Sequence, residues 1–157
     1  MSVRRATPED AESLTDLHLD VWDEAYSGLI PAELLAARRA RRESMIERWR
    51  DVLADGTTTQ LVACDDTCRL QGFTSVGPGQ DEGLPDLRVM ALYVRAEVYG
   101  TGVGHALLDA AVGDAPAYLW VLDGNRRAID FYTGQGFQFD GTTMTEPEGV
   151  EHRMVRR

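Results

Sequence analysis

Apolar residues recur in two different rhythms along this chain, and the switches between them mark its elements. Residues 2–6 fit a short first strand. Thr7-Pro8-Glu9-Asp10 then carries a helix-start signal: a Thr cap, Pro at the first helical position and acids in the first turn. Leu14, Leu17, Val21, Trp22 and Ala25 follow at helical spacing and give that helix one apolar face. Gly28 and Pro31 interrupt it. A second helix is predicted from 31 or 32 to about 54, with Met45, Ile46, Trp49, Val52 and Leu53 as its stripe. The rhythm then changes. Residues 60–64 and 70–76 are short β-branched and apolar runs around Asp65-Asp66-Thr67, the pattern of a hairpin. Residues 87–94 form a long strand, a Gly-rich turn follows, and 103–112 read as helix. Residues 117–122 are a further strand, 125–133 a helix closed by Gly134-Gln135-Gly136, and 137–144 and 150–156 a last pair of strands. The order β-α-α-β-β-β-α-β-α-β-β predicts an α/β or α+β fold with mixed pairing in a single domain.

Charge alters what this frame could do. Of 157 residues, 16 are basic and 26 acidic, a formal net charge of −10, and every basic residue is arginine. Without lysine there is no Walker A phosphate loop and no Schiff base for pyridoxal phosphate. Excess acid argues against a sequence-independent grip on nucleic acid or an anionic membrane. No apolar run approaches the roughly 18 residues of a membrane span. The N-terminus has no apolar signal core. Two cysteines, Cys64 and Cys68, make no disulfide framework, so a reduced cytoplasmic setting is expected. Residues 32–54 hold six arginines against four acids, leaving the remainder at −12. The Arg-Arg-Ala-Arg-Arg run reads as a solvated, ion-paired helix face or as a dock for an anion.

Two segments carry candidate chemistry. In Tyr99-Gly100-Thr101-Gly102-Val103-Gly104-His105 a strand has ended, glycines alternate and an apolar helix begins. Glycines let backbone N–H groups converge, and a helix N-terminus adds its unpaired N–H groups and partial positive charge. The segment fits a pyrophosphate-sized anion site that needs no lysine, or a plain Gly-rich turn. In the second segment Asn125 is a natural N-cap, with Ala128 and Tyr132 three and seven residues later on the same helix face. Tyr132 could pack in the core or present its hydroxyl beside a path kept open by Ala128. His18 and His152 are isolated, no H-E-x-x-H pattern exists, and no metal site is expected.

Taken together these segments resemble the GNAT N-acetyltransferase superfamily. The pattern [Q/R]-x-x-G-x-[G/A] maps onto Tyr99 to Gly104, and N-x-x-A-x-x-F-Y-x-x-x-G-F onto Asn125, Ala128, Phe131, Tyr132, Gly136 and Phe137. The resemblance implies a mixed, mostly antiparallel twisted sheet of about six to seven strands flanked by about four helices. It implies acetyl-CoA as co-substrate, direct transfer to an amine of a small molecule or peptide, and a homodimer. Backbone groups of Leu92, Tyr93 and Val94 would hold the pantetheine arm. Amides from Tyr99, Gly100, Thr101, Gly102, Val103, Gly104 and His105 would hold the pyrophosphate. Asn125 and Ala128 would border the arm, and Tyr132 would be the general acid. Trp22 and Tyr26, spaced i, i+4, would wall the acceptor with an aromatic face. Arg95, Arg126 and Arg127 are candidates for the outer phosphate. Two positions depart from the family pattern: Tyr99 stands where Gln or Arg is usual, and Arg88 stands where an acid often serves as base, with Asp86 two residues earlier. Those departures leave a non-catalytic acyl-CoA-sensing module as the alternative. The negative field favours a cationic acceptor.

Overall fold

A computed structural model describes residues 1–157. Seven strands form one sheet: β1 (Ser2–Arg5), β2 (Thr59–Cys64), β3 (Leu70–Pro78), β4 (Leu87–Val94), β5 (Ala117–Leu122), β6 (Gln138–Glu146) and β7 (Gly149–Arg156). Their order is β1-β2-β3-β4-β5-β7-β6. Every neighbouring pair is antiparallel except β4 and β5. Five helices accompany them: α1 (Ala11–Tyr26), α2 (Ala32–Ala40), α3 (Arg42–Asp55), α4 (Val103–Val112) and α5 (Arg126–Gly134). No helix is long and apolar enough to cross a membrane.

The helix-start signal at Thr7 makes a 3₁₀ turn, Pro8–Asp10, before α1 begins. Asp10 closes it by accepting the Thr7 backbone N–H at 2.8 Å, and Arg4 holds both of its oxygens at 2.8 Å. The Arg4 guanidinium, the larger influence, keeps the Asp10 carboxyl below its usual range.

The single second helix expected from the sequence is two helices. They break at Arg41 (φ −99°, ψ 21°), where no Gly or Pro stands. Packing explains the break. Leu35 of α2 buries with Tyr26, Ile30 and Leu122, whereas Trp49 and Leu53 of α3 cover Leu14, Leu17 and Phe73. One straight helix does not serve both clusters, and tertiary burial overrides helix propensity.

The arginine run resolves mainly into ion pairs with α1. Arg39 meets Asp20 at 3.0 Å and Asp23 at 2.6 Å; Arg42 meets Asp16 at 2.7 Å and Glu12 at 3.0 Å. Exposed pairs of this kind are screened by solvent and add little, so this layer orients the helices more than it stabilises them.

One face of the sheet is covered by α1 and α3, the other by α4 and α5. On the second face Leu108 and Val112 of α4 and Tyr132 of α5 share a cluster with Leu119, Val121, Phe137 and Met154. At about 25 cal/mol per Å² of apolar area, such layers supply most of the folding drive.

The centre of the sheet is irregular. Ser75 and Val76 of β3, adjacent in sequence, oppose Ala91 and Val89 of β4, so Met90 is an extra, bulged residue. Beside the bulge, β4 and β5 pair at one position only, Arg88 with Tyr118. Beyond it the two strands diverge.

Candidate functional site

The divergence opens a cleft of about 370 Å³ between β4 and β5. Its walls come from β4, the Gly-rich turn into α4, and the start of α5. Leu92, Tyr93, Val94, Tyr99, Gly100, Gly102, Val103, Gly104, His105, Asn125, Ala128 and Tyr132 all line it. The structure thus brings together residues separated by up to forty positions in the sequence.

Backbone direction on β4 follows from one bond. Arg95 donates its N–H to Gln71 in β3 at 2.8 Å. With a period of two, Tyr93 also faces β3, and Leu92 and Val94 turn their N–H and C=O groups toward the cleft. These are strand edges without a strand beside them.

The Gly-rich turn offers a second set of free groups. Gly100 and Gly102 have φ of +76° and +94°, a region where L side chains are strained. The N–H groups of Gly100, Gly102, Val103, Gly104 and His105 have no acceptor within the protein. Two amides expected to share this role are engaged instead: Tyr99 donates to Ala96 at 3.1 Å and Thr101 to Val98 at 3.2 Å. Thr101 is exposed and its hydroxyl also bonds the Val98 carbonyl, at 2.6 Å. The His105 ring is tied to Gln135 at 3.0 Å, leaving its backbone N–H for the cleft. Five unpaired donors at the positive end of a ten-residue helix suit a pyrophosphate.

Charge at the cleft mouth comes from one arginine. Arg127 lies over the Tyr99 ring, its guanidinium carbon 4.0 Å from the centroid. Tyr99 therefore acts as a seat for a cation in place of the usual polar side chain. Arg95 does not join it. Its guanidinium is held by Asp20 at 2.8 Å and the Leu70 carbonyl at 2.8 Å. Arg126 is exposed and outside the cleft lining.

At the inner end Asn125 caps α5, its side-chain oxygen accepting from Ala128 at 3.4 Å. Tyr132 is 7% exposed, and its hydroxyl bonds no protein group. Burial, reinforced by Tyr93, raises its pKa well above the ordinary phenol value, so it is protonated at neutral pH.

The acceptor-side expectations fare differently. Tyr26 lines the cleft and bonds the Tyr93 hydroxyl at 2.7 Å. Trp22 stands against Tyr26 with ring centroids 4.9 Å apart. One face of the Trp22 ring is already covered by Arg38, at 3.6 Å, and is not free for a substrate cation. Asp86 is exposed and outside the cleft, and no carboxylate lines it. Sequence reasoning missed three glutamates, Glu146, Glu148 and Glu151, which line a neighbouring cavity. Helix or strand spacing gives no signal for them, because they reach this place only through the pairing of β5, β6 and β7.

Residues 56–139 match the family model described as an acetyltransferase (GNAT) domain. A probable N-acetyltransferase of Mycobacterium tuberculosis is 29% identical over 147 residues, covering 91% of this chain and 83% of that protein. An uncharacterized N-acetyltransferase of Bacillus subtilis is 29% identical over 140 residues, covering 84% and 77%. Among solved structures, the PaiA N-acetyltransferase of Thermoplasma acidophilum in complex with coenzyme A superposes with a TM-score of 0.76. That match has 19% identity and covers 99% of this chain and 98% of the other, a likeness of fold.

Proposed function

The chain belongs to the GNAT acetyltransferase family, and from that premise we propose that it moves an acetyl group from acetyl-CoA directly to a primary amine of a small molecule or peptide. One observation carries the reading. The open backbone edge of β4 at Leu92 and Val94 continues into five free N–H groups at the start of α4. That run suits an extended arm ending in a pyrophosphate, and nothing in it requires lysine.

When bound, acetyl-CoA supplies an activated thioester carbonyl. The residues around it then have separate tasks. Leu92 and Val94 hold the arm as an added strand would, and one of their N–H groups is the donor for the developing oxyanion. Gly100, Gly102, Val103, Gly104 and His105 hold the pyrophosphate through their amides, with Arg127 beside them. Asn125 keeps its side-chain NH₂ free for the arm while its oxygen caps α5. Attack by the amine forms an N–C bond and breaks the C–S bond, and Tyr132 gives its proton to the departing sulfur. The proton lost by the amine leaves through solvent, since no carboxylate lines the cleft.

Thermal shift with acetyl-CoA against adenosine diphosphate tests the donor, and thiol release across a panel of amines tests transfer. The expected result is stabilisation by the thioester and turnover with at least one amine. No stabilisation at saturating thioester would overturn the reading. A second reading, a non-catalytic acyl-CoA sensor, is favoured by Arg88 in place of an acid and by the cleft's lack of carboxylates. Fast turnover with any one amine excludes it.

A further inference from the structure

A second cavity, of about 230 Å³, adjoins the cleft and shares Tyr26 and Tyr93 with it. Trp22 completes its aromatic side, and Glu146, Glu148 and Glu151 its acidic side. The strand register makes the glutamates converge. Glu146 pairs with Gly149 across the β6–β7 turn, which puts Glu148 at the tip. Glu151 pairs with Leu122 on β5, and Leu122 also lines the cavity. Gly149 (φ +143°) lets the turn close on Leu122, whose Cδ1 lies 3.3 Å from where a Cβ would stand.

All three carboxylates are half-buried, and none is paired with an arginine or histidine. Burial and the two neighbouring glutamates raise the pKa of Glu151. The cations nearby form no ion pair with them, although Arg88 acts on Glu151 and Arg38 on Glu148 through space. Arg38 is stacked on Trp22 and bonded to His18 at 3.3 Å. Arg88 keeps a fully buried Nε with no partner.

The aromatic side also has hydrogen-bonding capacity left over. Tyr26, only 7% exposed, and Tyr93 share one bond between two hydroxyls, so one of their two protons has no protein acceptor. The Trp22 indole N–H is buried as well and has at most a poorly aligned contact with the Tyr93 hydroxyl. Buried groups in this condition are costly unless a ligand meets them.

Resting on the transfer reading of the adjoining cleft, we propose that this cavity is the acceptor subsite and that it takes a primary amine carrying a second positive charge along its chain, a diamine or longer polyamine. The reacting nitrogen meets the Tyr26–Tyr93 pair, where the two cavities join. The distal ammonium is held by the three glutamates. A carboxylate-bearing amine, such as an amino acid, is repelled by the same groups, because Arg38 is already engaged.

The test compares butane diamine, butylamine and γ-aminobutyrate, which share a four-carbon chain and differ in the distal group. Calorimetric titration of each into protein saturated with CoA reads binding without chemistry; thiol release from acetyl-CoA reads kcat/KM. The diamine is expected to exceed butylamine by about tenfold in both, the size of one partly buried charge-assisted contact. In the double variant Glu146→Gln, Glu148→Gln that ratio falls toward one. In a control of equal charge change, Glu82→Gln with Asp114→Asn on exposed positions, the ratio stays at its native value. Equal binding of diamine and butylamine, a preference that survives the double variant, or tighter binding of γ-aminobutyrate each overturns the subsite. Absence of turnover with every amine overturns the transfer reading instead, and diamine binding that the double variant loses still upholds the subsite.

Discussion

Lowering the pH from 7.5 to 5 should cost this protein about 2 kcal/mol of stability through one residue, His18. His18 projects from α1 into a ring of Trp22, Trp49, Phe73 and Tyr93, with centroids 5.2 to 6.1 Å away. Arg38 lies 3.3 Å from its Nε2. A guanidinium only donates, so Nε2 is the acceptor and the proton is on Nδ1, which is buried with no partner. A second proton would set an N–H against the guanidinium. Burial is the largest influence, followed by Arg38 and Arg48, and together they push the imidazole from 6.5 down to about 3. Above pH 6.5 both folded and unfolded forms are neutral, so the residue adds no pH dependence there. Below it the unfolded imidazole gains a proton that the folded one refuses, and stability falls as pH falls. The loss is about 2 kcal/mol at pH 5 and about 3 kcal/mol at pH 4. Urea denaturation followed by tryptophan fluorescence at several pH values measures it, alongside His18→Phe, which keeps a ring and removes the titration. The variant's stability should change less between pH 7.5 and 5, by about the same 2 kcal/mol. Equal pH dependence in both proteins would show that His18 titrates normally and that the box does not exclude its charge.

Three further outcomes follow from the cleft. Tyr132→Phe should lower kcat by about a hundredfold while acetyl-CoA binding survives, and unchanged single-turnover rates would remove it as the acid. Arg127→Ala should weaken CoA binding about tenfold and dephospho-CoA binding less; equal losses would refute a role at the outer phosphate. Gly102→Ala forces a Cβ into φ +94° at a cost of about 1–2 kcal/mol, disturbing the amides beside it. Calorimetry should show weaker CoA binding, and native affinity would refute the amide loop.

Local features were legible in the sequence because their physics is local. Asn125, Ala128 and Tyr132 share a helix face by spacing alone, and the glycines at 100 and 102 announce their positive φ. Features set by pairing were not. Leu87 to Val94 is apolar almost throughout, so nothing marks Met90 as the bulged residue; only its register with Ser75 and Val76 does. Glu151 reaches the second cavity through pairing with Leu122, twenty-nine residues earlier, which no spacing rule reports. Arg41 sits in a run of good helix formers, and its break comes from two clusters pulling on one helix. Tyr99 read as a departure because its ring meets Arg127, a neighbour in space alone.

The ion-paired layer between α1 and the two helices after it has a chemical consequence as well as a structural one. All of its cations are guanidiniums. A lysine in the same place is an amine, and in the presence of a reactive thioester it is slowly acylated without any enzyme, losing its charge and its partner. Guanidiniums stay protonated and do not react in this way. If the chain acylates an amine as proposed, having no lysine leaves it no side-chain amine to compete with that acceptor. On that reading its surface charges should not age in concentrated acetyl-CoA, and the scaffold stays distinct from the amine it would acylate.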